Sequence, residues 1–156
     1  MEIKDYQGNI EILKLNKTAF LCSRKIPASI VLKCYDWAIE QRETGKCIIS
    51  GFHSQIERDV FHYLAKGTQP IIIAMARGLT GKPPEMLKKP IDQGRILLIS
   101  PFKKEIVKVT VETAAIRNRF MIDLAENITI GYASETGQLK KILKEVNKPV
   151  TFLYQR

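Results

Sequence analysis

This chain is poor in the residues on which many kinds of site chemistry depend. Of its 156 residues two are histidine, three are cysteine and one is tryptophan. Cys22, Cys34 and Cys47 are widely spaced, with no C-x-x-C pair and no histidine cluster of zinc-site spacing. Neither a metal centre nor a disulfide framework is expected, and the three read as reduced, mostly buried thiols of a reducing compartment. There is no G-x-S-x-G elbow and no G-x-G-x-x-G, and Gly78-Leu79-Thr80-Gly81-Lys82 has the wrong spacing for a phosphate loop. A dehydrogenase, a P-loop ATPase and a serine hydrolase are thereby disfavoured. Long apolar runs are missing too: Ile71–Met75 and Ile96–Ile99 fall far short of the roughly 20 residues that span a bilayer. The start, Met1-Glu2-Ile3-Lys4-Asp5, has acids among its bases and no apolar stretch of a secretory signal, so a cytoplasmic protein without a membrane partner is expected.

What is present is ordinary in amount and informative in arrangement. The hydrophobic fraction of 45% and charged fraction of 26% are those of a folded globular protein. The length fits one domain over residues 1–156, with a short edge segment at 1–16, and such a domain buries roughly 70% of the surface of its unfolded chain. The formal charge is +9. From Arg77 to Lys108 eight bases face three acids. A basic surface draws polyanions, though it also serves simply to keep a protein soluble.

Short runs rich in Ile and Val alternate with stretches of helical period, the pattern of βαβ units around a parallel sheet. Strands are expected at Ala19–Cys22, Cys47–Ile49, Ile71–Met75, Ile96–Ile99, Ile128–Tyr132 and Val150–Leu153, with an edge strand or hairpin within Glu2–Lys14. The fold class is therefore α/β, a Rossmann-like three-layer domain with a mostly parallel sheet of about six strands. Pro27 and Gly45 bracket a helix of about 16 residues. Ser54-Gln55-Ile56-Glu57 has the form of a capping box opening a helix that ends at Gly67. Residues 78–94, with three prolines, read as a loop with one helical turn; a long helix is expected over Glu105–Ala125, and a last one after Thr136-Gly137.

In open parallel sheets ligands bind beyond the carboxyl ends of the strands, where helix N-termini present free N–H groups suited to anions. The residues at those positions are Ser23-Arg24-Lys25, Ser50-Gly51-Phe52-His53-Ser54, Ala76-Arg77-Gly78, Ser100-Pro101-Phe102-Lys103-Lys104 and Ala133-Ser134-Glu135-Thr136-Gly137. Small, hydroxyl-bearing and basic residues gather there, which is what a phosphate needs. The same residue types also favour turns and caps for local reasons.

Cys22-Ser23-Arg24-Lys25, Ile48-Ile49-Ser50-Gly51, Arg117-Asn118-Arg119 and Ala133-Ser134-Glu135-Thr136-Gly137, in this order and at these strand-relative positions, resemble the Rossmann-like core of the DNA-processing protein DprA (Smf) over about residues 17–153. The Arg-Asn-Arg triplet is the most specific element. The wider SLOG superfamily also holds the lonely-guy phosphoribohydrolases and lysine-decarboxylase-like proteins. The resemblance implies a pocket for a nucleotide or single-stranded nucleic acid lined by Ser23, Arg24, Ser50, Gly51, Arg117, Asn118, Arg119 and Gly137; the strand-end rule adds Lys25, His53, Ser54, Arg77, Gly78 and Thr136. Departures accompany it. Cys22 stands where DprA proteins usually carry Gly, and Gln55-Ile56-Glu57 where they carry Gly-Ile-Asp, with no Ala-His pair following. A compact stand-alone subgroup marked by Ser-Gly-Phe-His-Ser and Ala-Arg-Gly-Leu fits better, and recombinase loading does not simply carry over.

Several of these residues have ordinary alternatives. Arg117 and Arg119, two apart on a helix, cannot face the same way, so one is expected to pair with a carboxylate such as Asp123 or Glu126. Glu57 reads as a helix cap, and His62 as a packed helix residue. No catalytic residue, metal or cofactor is implied, and the phosphoribohydrolase Gly-Gly-x-Gly-Thr-x-x-Glu pattern is absent. Two functions follow: a binding domain for single-stranded nucleic acid, with Phe52 and Phe102 as the aromatics placed for stacking; or a small-nucleotide sensor or phosphoribohydrolase-like enzyme. Self-association is a possible addition to either.

Overall fold

The structure, a computed structural model, describes residues 2–155. Seven strands form one sheet: β1 (Asp5–Gln7), β2 (Lys17–Leu21), β3 (Cys47–Ser50), β4 (Ile71–Ala74), β5 (Ile96–Ser100), β6 (Asn127–Ile130) and β7 (Val150–Phe152). Their order is β1-β5-β4-β3-β2-β6-β7; all neighbours are parallel except β1, which runs antiparallel to β5 with Tyr6 opposite Ile99. The expectation of about six strands is thus one short, because the N-terminal segment does supply an edge strand.

The helices are α1 (Ala28–Thr44), α2 (Gln55–Ala65), α3 (Glu85–Asp92), α4 (Val111–Leu124) and α5 (Gln138–Leu143), with a 3-10 turn at Ile10–Lys14. Side chains of each central strand alternate between two apolar layers. In β4, Ile72 and Ala74 face the layer holding Phe120, Met121, Leu139 and Ile142; Ile71 and Ile73 face the layer holding Ile30, Trp37, Val60 and Leu64. Burial on both faces is why these strands read as unbroken apolar runs rather than alternating ones. The ring of Trp37 stacks on Phe20 at 4.8 Å between centroids, fixing α1 on β2.

Local signals set most boundaries. Gly45 ends α1 in the left-handed conformation, φ 71°. Ser54 and Glu57 form the expected capping box at α2. Two expectations fail. Residues 78–94 hold two turns of helix rather than one, with Pro90 inside α3. The long helix begins at Val111 and not Glu105: Thr110 caps it by accepting from the Thr113 N–H, and the β-branched run before it forms no helix.

The chain leaves β2 in one direction, through α1, α2 and α3 on one face, to build β3, β4 and β5. It then crosses by α4 on the other face to β6, on the far side of β2. The strand order reverses between β2 and β6, so a crevice is expected outside their carboxyl ends. Among the described residues no helix is long and apolar enough to cross a membrane.

Candidate functional site

At the reversal point the loops leaving β2 and β6 are tied together. Ser23 donates its N–H to the Tyr132 carbonyl (2.8 Å), and its hydroxyl accepts from the Ser134 N–H (3.0 Å). Gly137, which starts α5, packs so closely on Ser134 that a Cβ there would collide with its hydroxyl. Ser23, Ser134 and Gly137 therefore form one compact rim, with Arg24, Lys25 and Thr136 exposed around it.

One strand over, Arg117 reaches from the second turn of α4 to the ends of β3 and β4. Its guanidinium is buried against Gly51, where a Cβ would clash with it, and donates to the Ala74 carbonyl at 3.2 Å. Its Nε donates to the Asn118 side chain at 2.9 Å. Burial lowers the Arg117 pKa from its ordinary value, and the charge of Glu57 works against that shift. Gly51 is required here by lack of room, not by backbone conformation. The strained residue is its neighbour Phe52, at φ 48°, a left-handed conformation that a bulky side chain rarely adopts.

Glu57 sits at the centre of this arrangement. Beyond its capping-box bond to Ser54, it accepts from the backbone N–H of His53 (2.9 Å) and of Cys22 (3.3 Å), and it is 8% exposed. Spacing revealed the cap; only the fold brings Cys22, from the end of β2, onto the same carboxylate. The amides opening α2 are thus occupied by the protein's own anion and are not free for another. His53, which directly precedes the cap of α2, is exposed. Its pKa is lowered by partial burial, then by the charges of Arg117, Arg24 and Arg58, with Glu57 opposing. Four elements thereby contribute to one electropositive cluster.

The other expected residues divide. Ser50 is fully buried, its hydroxyl donating to the Phe20 carbonyl and accepting from the Phe52 N–H, so it shapes the turn and offers nothing outward. Ser54 is spent as a helix cap. Arg77 and Gly78 lie at the ends of β4 and β5: the Arg77 carbonyl accepts from Ser100, and Gly78 packs against Lys103 and Lys104 with no room for a side chain. Arg119 is outside the cluster, pairing with Glu145 at 3.6 Å, and Glu126, one of the carboxylates expected for this role, pairs instead with Lys17. Phe52 is 9% exposed and packs edge-on against Phe61, so it is not available for stacking on a guest.

The thiols behave as expected in part. All three are free and buried. Cys22 and Cys34 lie against one another beside Gly131, where a Cβ would stand 3.1 and 2.9 Å from their sulfurs. Their hydrogen bond raises the Cys22 pKa and lowers that of Cys34, while burial pushes Cys47 to about 11. Among the described residues no group of His, Cys, Asp and Glu could hold a metal ion.

No family model matches the sequence, and no curated protein matches it. The fold does have known counterparts. It is that of DprA. The chain superposes on DprA from Streptococcus pneumoniae with a TM-score of 0.73 at 20% identity, over 94% of its own length and 53% of that chain. On Helicobacter pylori DprA, described by its single-stranded DNA binding mode, the TM-score is 0.74 at 20% identity, covering 97% of this chain and 71% of that one. A molybdenum cofactor binding protein from Rippkaea orientalis is more distant, at 0.58 and 11%, covering 88% and 75%. The chain thus spans about half of the pneumococcal DprA chain, and the similarity extends over its Rossmann-like architecture.

Proposed function

We propose that the carboxyl edge of the sheet binds single-stranded nucleic acid through its phosphates. One observation carries this reading: Arg24, Lys25, Lys103 and Lys104 are exposed along that edge, and their side chains make no hydrogen bond or ion pair among the described residues. Five strand ends, from β5 to β6, lie side by side there, about 20 Å at the usual strand spacing of roughly 4.8 Å. An open row of cations over that length suits a polymer of phosphates better than a single small molecule. The fold shared with DprA, and the single-stranded DNA binding named for the Helicobacter protein, support the same reading.

Binding of this kind releases counterions and weakens steeply with salt. Fluorescence anisotropy with labelled single strands at about 50 and 200 mM salt should show affinity falling by about tenfold or more. Flat, weak binding at both would remove the proposal. The second reading, a small-nucleotide sensor or phosphoribohydrolase-like enzyme, is favoured by the compact Ser23–Ser134–Gly137 rim at the reversal point. A nucleotide panel in thermal shift tests it, because a ligand at 100 times its Kd stabilises by about 2.7 kcal/mol. Release of free base from a nucleoside monophosphate then separates an enzyme from a sensor.

A further inference from the structure

Arg117 is 5% exposed, yet no carboxylate forms an ion pair with it among the described residues. Lys17, as deeply buried at the other edge of the sheet, is paired with Glu126 and held by two carbonyls. The Nε and Nη1 of Arg117 donate to Asn118 and to the Ala74 carbonyl, while Nη2 makes no hydrogen bond among the described residues. Glu57, whose charge Arg117 feels, stands beyond ion-pair distance, and both its oxygens are engaged by the amides of Cys22, His53 and Ser54. A cation buried without a counter-ion costs free energy that an incoming anion returns. We propose that Arg117, Arg24 and His53 form a subsite for a phosphate monoester, the group found at the end of a nucleic-acid strand. The proposal rests on the single-strand reading of this edge and narrows it.

Three separate donors meet here, from the loop after β2, the loop after β3 and α4. Besides Nη2 of Arg117, the exposed guanidinium of Arg24 and the exposed imidazole of His53 make no side-chain hydrogen bond or ion pair among the described residues. The charges of Arg117 and Arg24 both act on His53. Arg58, which acts on it too, is engaged by the His53 carbonyl and Gln55. Gly51 lies against the Arg117 guanidinium, and any side chain there would take its place. An internal phosphodiester offers two free oxygens and one negative charge, and its chain must leave on both sides. A monoester offers three free oxygens, about −1.5 to −2 charges at neutral pH, and one exit. Three converging donors match the monoester in number and in charge. The exposed Lys25, Lys103 and Lys104, spread along the edge, suit the diesters of the same strand.

Three strands of one sequence test this by anisotropy at about 50 mM salt: one with a 5′-phosphate, one with a 3′-phosphate and one with neither, all labelled internally. At least one phosphorylated strand should bind about tenfold more tightly than the bare one, the size of one charge-assisted hydrogen bond. Arg24→Ala with His53→Gln, both on the surface, should bring the three strands to equal affinity, and so should Arg117→Met. Lys103→Ala with Lys104→Ala should weaken all three and keep their ratio. Thymidine 5′-monophosphate against thymidine, in thermal shift, separates the two sources of a monoester: a response to the monophosphate without a preference among strands assigns the subsite to a free nucleotide. Equal affinity of the three strands with no response to the monophosphate overturns the subsite, and salt-dependent binding of all three would then leave the single-strand reading standing. If no strand binds, that reading falls and the monophosphate alone decides the subsite. A preference that persists in the Arg24 and His53 double variant, or in a folded Arg117→Met, also overturns it.

Discussion

The two edges of the sheet use basic residues in opposite ways. At the amino edge, Lys17, Arg95 and Lys148 each stand at or just before a strand and are consumed by carbonyls. Lys17 donates to Leu13 and Leu15, Arg95 to Leu64, Ala65 and Gln69, and Lys148 to Ile122, Asp123 and Ala125. Arg95 and Lys148 thereby cap the ends of α2 and α4, whose last carbonyls have no partner within the helix and carry the negative end of its dipole. At the carboxyl edge, Arg24, Lys25, Lys103 and Lys104 are left in water. The lesson is that net charge says little until each cation is assigned. Within the basic Arg77–Lys108 stretch Arg95 is structural, whereas Lys103 and Lys104, which follow β5, stay exposed.

The largest effect expected from breaking this contrast is at the amino edge. Arg95→Met removes three hydrogen bonds from a charged donor and leaves helix-end carbonyls unpaired, a loss of about 2–3 kcal/mol in unfolding free energy. Urea denaturation measures it, and the salt slope of nucleic-acid binding should stay unchanged. At the carboxyl edge the reverse holds. Lys103→Ala with Lys104→Ala should leave stability within about 0.5 kcal/mol, while the slope of log affinity against log salt falls by roughly 0.7 for each phosphate that the variant no longer neutralises.

A smaller effect concerns His53. In the free protein partial burial and the surrounding arginines hold its pKa below the usual value of about 6.5, so it is mostly neutral at neutral pH. A bound phosphate favours the imidazolium and raises that pKa, so binding takes up a proton. Affinity should therefore rise as pH falls through the bound-state value and level off below the free-state value. Anisotropy between pH 8 and 5.5 should show that rise in the native chain and lose it in His53→Gln. The smallest expected change is a gain in stability. The Gln69 side chain is buried with no hydrogen-bond partner among the described residues, so Gln69→Leu should raise stability by up to about 1 kcal/mol, read as a higher Tm.

Strand-end residues were legible because a parallel sheet sends every ligand-facing loop to one edge. Ser23, Arg24, Gly51, His53 and Gly137 could be proposed from position alone, whereas Arg117 was reached through the resemblance to the DprA core. What each does there was not legible. Ser50 and Ser54 carry the same hydroxyl as Ser23, yet one is sealed under Phe52 and the other is spent on a helix end. Arg117 and Arg119 differ by two positions, and helix geometry sends one into the site and the other to Glu145. Ser134 was read as part of a turn, and nothing in its spacing from Ser23 marks the bond that joins them.

The sequence by itself determined the α/β class, the central strands, the caps of α1 and α2 and the edge at which polar and basic residues gather. These are local properties, written in apolar runs and in spacings of three or four residues. Tertiary structure alone decided which side of β2 received β6, that Glu57 would meet the Cys22 amide, and which cations stay exposed. Those outcomes depend on contacts between residues tens of positions apart, where burial and hydrogen-bond partners are fixed only when the layers close.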